Sequence, residues 1–321
     1  MRDLGILSPV SIPPRALTLC LACIAAATGA SRAQSTASPE KAKPEVRASA
    51  GFRQPPWHFD LDAARAVAKA ADKLILACFM CSDGSCAGCQ ALARRLLQDY
   101  RFTAFAGDVV LFAHHAPGGA KSTVDDLTAA KGFARLPALA FLDADGNVEA
   151  RLEVETCTID ALTRALDDTR ASVDLAQTLR SMPAEQAATH AGELLAAEVA
   201  LRKWTFTELE QKVQVLGKQL SADQRARMAP VVDELEWDWL AEQTDMSARE
   251  RALRYKKLFR DKRFPKPTRA TRWWIAFAEA GSAAEDPVMV DTAAEMLTGA
   301  RDLPAGLLDR LRQRSEELRR R

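Results

Sequence analysis

The feature that most constrains the fold is an apolar run from Lys73 to Met80, KLILACFM. A strand with one face in water alternates apolar and polar residues, whereas this run is apolar at nearly every position. Such a strand is buried on both faces of its sheet and needs helices packed against both of them. The run therefore predicts the central strand of an α/β domain.

The segments on either side of this strand alternate between helical and extended patterns. Helices are predicted at 62–71, 89–99, 124–131 and 158–167, a second strand at 108–115, and a hairpin at 138–154. The hairpin turn is assigned to Asp145-Gly146, a residue pair that favours tight turns. The order αβαβαββα indicates a central mixed sheet flanked by helices.

Four of the seven cysteines, Cys78, Cys81, Cys86 and Cys89, lie within twelve residues at the end of the apolar run. This cluster is compatible with a redox dithiol, with a thiolate metal site, or with a structural cluster that has no reactivity. The two CxxC pairs are closer together than in zinc ribbons. Iron–sulfur ligation, with Cys157 as a conceivable fourth ligand, does not suit the alternating helix and strand pattern. The spacing alone leaves all three kinds of site open.

Three local motifs together resemble the thioredoxin-like fold family, and in particular its exported members with a CxxC motif. They are the Cys86-Ala-Gly-Cys89 pair at a strand-to-helix junction, the Leu136-Pro137 pair before the third strand, and the segment ALAFLDADG that follows it. The resemblance extends over about Trp57–Asp168. It implies a thioredoxin-like domain at 57–170.

The resemblance also implies a mechanism and its residues. Cys86 would attack a partner disulfide and Cys89 would resolve the mixed disulfide. Cys81 itself is interpreted as an extra thiol beside the site, with a role as a second resolving cysteine as the alternative. Pro137 would be cis, lie beside the cysteines and keep metal from binding, while the backbone of Leu136 would pair with substrate. The expected activity is thiol–disulfide exchange on protein substrates, with no metal and no other cofactor. The alternatives are a non-catalytic thioredoxin-like interaction protein and a thiolate metal-binding site.

The N-terminal region is typical of an export signal. Basic residues flank an apolar stretch at 16–30, and small residues follow it up to Ala33. We expect a cleaved signal at 1–33, a flexible leader at 34–56, and a periplasmic or extracellular protein. An uncleaved signal that anchors the chain in a membrane is the alternative.

The second half of the chain, 171–321, has no cysteine and is predicted to be an all-α domain. Its five tryptophans are assigned to packing between helices. The predicted helices are 183–203, 205–220, 222–242, 247–261, 268–280, 287–297 and 304–320.

The charge of the whole chain is balanced, with 44 basic and 43 acidic residues, and marks neither a nucleic-acid binder nor a membrane-surface binder. The segment Arg249–Arg272 differs, because it contains eleven Lys or Arg and two acidic residues. It is interpreted either as a solvated helix face or as a docking surface for an acidic protein or an envelope surface. Nucleic acid is not an expected partner of an exported protein.

Overall fold

The computed structural model describes residues 56–82, 86–116, 125–243, 246–264, 270–300 and 303–321. All of them belong to one compact unit, Arg47–Arg321. The predicted export signal and all but the last residue of the predicted leader lie outside the described residues. None of the helices in the described ranges has the length and apolar character that a membrane span needs.

A mixed sheet of five strands forms the centre of the first half. Strand β2 lies in the middle, parallel to β3 with Ile75 opposite Val110, and antiparallel to β4 with Ile75 opposite Leu142. The sheet order is β1-β3-β2-β4-β5. The strands are β1 (Trp57–His58), β2 (Ile75–Cys81), β3 (Val110–Ala116), β4 (Ala138–Leu142) and β5 (Val148–Leu152).

Helices cover both faces of this sheet, as the apolar run of β2 predicts. They are α1 (Leu61–Ala71), α2 (Ala87–Leu92) with a π-helical turn (Ala93–Leu97), α3 (Tyr100–Phe105) with a 3₁₀ turn (Ala106–Asp108), and α4 (Asp126–Ala130). Helix α3 and strand β1 were not predicted. The carboxylate of Asp99 accepts from the backbone N–H of Arg101 and starts a new helix, and β1 is too short to show a periodicity.

Side chains of β2 alternate between two hydrophobic cores, because successive residues of a strand point to opposite faces of the sheet. Leu76, Cys78 and Met80 pack on the side of α2, where Cys89 and Cys157 also lie. Ile75, Ala77 and Phe79 pack on the opposite side, against Ala64 and Ala68 of α1. Both faces of β2 are therefore buried, as its sequence predicts.

Helix α5 (Ile159–Ser181) is longer than the predicted helix at 158–167. No Gly or Pro interrupts the sequence after position 167 until Pro183, so the helix continues to Ser181. Met182 is extended, as the residue before a proline prefers to be. The helix therefore runs through position 170, where the two predicted domains were divided.

In the described part of the second half, seven further helices follow the predicted segments closely, so this half is helical as expected. Trp237, Trp273 and Tyr255 are fully buried in their core, which confirms a packing role for these two tryptophans. The helices are α6 (Ala184–Ala200), α7 (Phe206–Leu216), α8 (Ala222–Glu242), α9 (Ala248–Arg260), α10 (Ala270–Ala283), α11 (Pro287–Leu297) and α12 (Leu307–Arg319).

Strand β5 is joined to the helical half by hydrogen bonds from the backbone and the guanidinium of Arg151. The backbone N–H of Arg151 donates to the carbonyl of Leu201 at 2.9 Å, and the Arg151 guanidinium donates to the carbonyls of Arg202, at 2.9 Å, and Lys203. The same guanidinium donates to the carbonyl of Lys131 at 3.0 Å. Arg151 therefore links β5 to the loop after α6 and to the end of α4.

Ion pairs complete this contact. Arg202 pairs with Glu153 at 2.7 Å and with Glu234 of α8, and Lys203 contacts Glu149 at 2.6 Å. We call this set the β5 junction; it consists of Glu149, Arg151, Glu153, Arg202, Lys203 and Glu234.

Candidate functional site

Cys86 caps the N-terminus of α2. Its backbone is extended (φ −65°, ψ 105°), and its Sγ accepts a hydrogen bond from the backbone N–H of Cys89 at 3.4 Å. Cys86 is partly exposed, whereas Cys89, in the first turn of the helix, is only 4% exposed. The CxxC motif therefore presents one sulfur toward solvent and keeps the second one underneath.

Cys81, the last residue of β2, brings a third thiol to the same place. Its backbone N–H donates to the Sγ of Cys89 at 3.4 Å, and the sulfurs of Cys81, Cys86 and Cys89 all lie within 4.8 Å of one another. We call these three residues the thiol cluster. Cys81 lies beside the CxxC pair, as expected, although the sequence did not indicate such close contact.

The surroundings shift the pKa values of the two CxxC thiols in opposite directions. Burial opposes ionisation of Cys86, but hydrogen bonds from Cys89, Cys81 and the backbone of Gly88 outweigh it and lower the pKa of Cys86. Burial raises the pKa of Cys89, and its hydrogen bond to Cys86 raises it further. Cys86 is therefore the thiol that ionises first, and Cys89 stays protonated beneath it.

The Leu136–Pro137 peptide bond is cis, as the resemblance implied. The Pro137 ring lies directly against Gly88, because a Cβ at position 88 would be 3.0 Å from Cδ of Pro137. A glycine between the two cysteines thus permits this close approach. Leu136 and Pro137 lead into β4 beside the CxxC motif; their substrate-binding role, implied by the resemblance, stays a prediction.

A groove of about 560 Å³ runs from the CxxC helix to the helical half. Gly88, Leu136 and Pro137 line this groove together with aromatic side chains of the helical half. The sequence assigned the tryptophans to packing alone and gave no signal that any of them shares a groove with the CxxC helix. The aromatic residues of the helical half in the lining are Trp204, Phe206 and Trp239.

The other two described cysteines lie apart from the thiol cluster. Cys78 is fully buried and Cys157 is 4% exposed, and burial raises both pKa values, that of Cys157 to about 11. Among the residues that the structure describes, the sulfur ligands close enough to share one ion are those of the thiol cluster. A tetrathiolate site that includes Cys78 is therefore not assembled, and Cys157 is not a fourth ligand.

The basic segment Arg249–Arg272 meets acidic residues of α8. Arg263 pairs with Asp233 at 2.6 Å, and Arg272 pairs with Glu242 at 2.8 Å. The side chain of Arg260, by contrast, is 77% exposed. Part of the positive charge is thus compensated within the chain, and part of it is in contact with water.

Comparisons with known proteins add little to this geometry. No family model matches the chain, and no curated protein matches it. Among solved structures, a DsbH oxidoreductase is similar at 22% identity over 40% of this chain and 91% of that chain, with a TM-score of 0.29. A TM-score this low decides nothing about fold or function.

Proposed function

We propose that residues 57–170 form a thioredoxin-like domain and that the protein exchanges disulfides with protein substrates through Cys86 and Cys89. Three features support the fold: the strand order β1-β3-β2-β4-β5, a CxxC motif at the end of the central strand, and a cis-proline at the start of β4. The apolar stretch at 16–30 supports export.

One observation carries the proposed activity. A partly exposed Cys86 with a lowered pKa lies over a buried Cys89 with a raised pKa. Exchange needs this difference, because the thiolate is the attacking species and the second thiol must wait until a mixed disulfide has formed. A non-catalytic interaction protein does not need a difference between the pKa values of Cys86 and Cys89.

The chemistry follows in two steps. The Cys86 thiolate attacks one sulfur of the partner disulfide, an S–S bond to Cys86 forms, and one partner thiolate leaves. Cys89 then loses its proton and attacks the Cys86 sulfur, so that the Cys86–Cys89 disulfide forms and the second partner thiolate leaves. Two electrons pass from the protein to the partner, and the reverse sequence oxidises a partner dithiol.

The substrate is proposed to lie along Leu136 and Pro137. Both residues line the groove beside Gly88, so a chain bound there passes next to the CxxC motif. The aromatic side chains in the same groove give the helical half a part in substrate binding, since Trp and Phe supply large apolar contact areas.

The test is an insulin-reduction assay on the mature protein. Cys86→Ser should abolish turnover, because no attacking thiolate remains at the helix start. Cys157→Ala is the matched control, since this cysteine is buried away from the thiol cluster, and it should retain turnover. Full turnover in Cys86→Ser would overturn the proposal. Equal, partial losses from Cys86→Ser and Cys89→Ser, with stoichiometric zinc in protein purified without added metal, would favour a thiolate metal site.

A further inference from the structure

The reactive sulfur of Cys86 has two thiol neighbours rather than one. The Sγ atoms of Cys81 and Cys89 lie within 4.8 Å of it and of each other. An S–S bond is about 2.05 Å long, so either neighbour needs a displacement of at most a few ångströms to bond to Cys86. The thiol cluster thus contains two candidates for the same resolving step.

These two candidates differ in their surroundings. Cys89 lies in the first turn of α2, is 4% exposed and has a raised pKa. Cys81 is the terminal residue of β2 and is partly exposed. A buried thiol loses its proton reluctantly, and resolution of a mixed disulfide requires the thiolate. Burial thus hinders Cys89 more than Cys81 in the second step.

We propose that Cys81 is a second resolving cysteine, which attacks the mixed disulfide on Cys86 in parallel with Cys89. This inference rests on the proposed exchange function. The Cys81 thiolate attacks the Cys86 sulfur, the Cys81–Cys86 bond forms, the bond from Cys86 to the partner breaks, and the partner thiolate leaves. The partner disulfide is the oxidant; Cys81 and Cys86 supply the two electrons, and the proton of Cys81 passes to water.

Two resolving thiols change what a trapping experiment detects. If Cys89 alone resolves, Cys89→Ser leaves a mixed disulfide on Cys86 with no neighbouring thiol that can release it. If Cys81 also resolves, the intermediate in Cys89→Ser still decays from within the site, because a thiol held beside it has a high effective concentration. The partner complex then accumulates only when both neighbours are replaced.

The experiment uses the full mature chain with insulin as the disulfide partner. Cys89→Ser and the double variant Cys81→Ser/Cys89→Ser are mixed with insulin, quenched with acid at intervals, and analysed by mass spectrometry. We expect the mixed disulfide to persist at least roughly tenfold longer in the double variant. In Cys89→Ser, a peptide pair linked through Cys81 and Cys86 should appear as the mixed disulfide decays.

The controls separate this inference from the proposed function. Wild type and Cys157→Ala should both reduce insulin; if neither does, the exchange function itself fails. If both do, but the two serine variants keep the mixed disulfide for equal times and no Cys81–Cys86 link appears, only the second resolving role is overturned. Resistance of Cys78 to alkylation, which follows from its complete burial, shows that each variant is folded.

Discussion

The thiol cluster and the β5 junction are both built from ionisable groups in partly buried places, yet they differ in how these groups are compensated. In the thiol cluster, the Sγ of Cys86 accepts a weak hydrogen bond from the backbone N–H of Cys89, and the Sγ of Cys89 accepts one from that of Cys81, both at 3.4 Å. Cys89 is more buried than Cys86. In the β5 junction, each buried charge meets an opposite charge or a carbonyl, as with Lys203 and Glu149 at 2.6 Å.

This difference in charge compensation suits the β5 junction to a structural role and the thiol cluster to a reactive one. Burial opposes the charge of Lys203, but its hydrogen bonds and ion pairs with Glu149 and Glu198 outweigh burial and keep its pKa above the ordinary value. Such a group stays charged and contributes to the joining of β5 with the helical half. The compensation of its partner Glu149 is weaker, because burial raises the pKa of that carboxyl despite the contact with Lys203. In the thiol cluster hydrogen bonds alone oppose burial, and they leave Cys86 easier to ionise than Cys89. Opposite charges in contact favour stability, and unequal burial of two thiols favours reactivity.

The largest expected effect comes from breaking the β5 junction at Arg202. Arg202→Met removes a counter-ion of Glu234, which is 2% exposed, and removal of one member of a buried ion pair typically costs about 3–5 kcal/mol. Urea unfolding should show a loss of this size in the free energy of unfolding, while alkylation of Cys86 in the folded protein stays unchanged.

The matched control is Arg227→Met, which removes an ion pair with Glu193 whose side chains are both about half exposed. Exposed ion pairs contribute little to stability, so this variant should unfold close to wild type. Equal losses from the two variants would contradict the structural role assigned to the β5 junction.

A smaller effect is expected in the thiol cluster, where it concerns how the reactivity of Cys86 depends on pH. The thiolate fraction of Cys86 grows as pH rises through its lowered pKa, so the midpoint of its alkylation rate against pH should lie below that of free cysteine. Cys89→Ala removes the hydrogen bond from that side chain and should move the midpoint upward. The measurement is the rate of iodoacetamide reaction against pH, followed on the Cys86 peptide.

Cys157→Ala should leave this midpoint where it is in the wild type, because Cys157 is not among the groups that shift Cys86. If the alkylation midpoint of Cys86 in the wild type equals that of free cysteine, the hydrogen bonds of the thiol cluster do not lower the pKa of Cys86.

The smallest effect concerns the exposed charges of the segment Arg249–Arg272. Lys257 and Arg260 are exposed, so the double variant Lys257→Gln/Arg260→Gln should leave stability and thiol chemistry unchanged. If this face docks an acidic surface, binding to poly-glutamate should weaken in the variant and with added salt, since exposed charges are screened over about 8 Å at physiological ionic strength.

Lys218→Gln is the control for this prediction, because Lys218 is exposed outside the segment. An equal loss of poly-glutamate binding in Lys218→Gln, or binding that salt does not weaken, would leave the segment as a solvated helix face.

The sequence by itself determined the features that depend on neighbours along the chain. The apolar run of β2 predicted a strand buried on both faces, and the spacing of Cys86 and Cys89 placed both sulfurs near the start of one helix. The predicted end of the helix at 167 was wrong, because α5 continues to Ser181, just before the proline at 183. The other two predictions hold because strand alternation and helical periodicity act over a few residues.

Only the tertiary structure decided which distant or competing groups meet. The sequence placed Cys81 beside the CxxC pair, but only the packing brings its sulfur within 4.8 Å of the sulfurs of Cys86 and Cys89 and puts Cys157 in the same core as Cys78. The guanidinium of Arg151 reaches carbonyls 51 and 52 positions away, and Arg202 adopts a left-handed backbone (φ 52°) that its side chain does not favour. Such contacts depend on how whole elements pack, because burial and charge pairing act between segments that no local pattern connects.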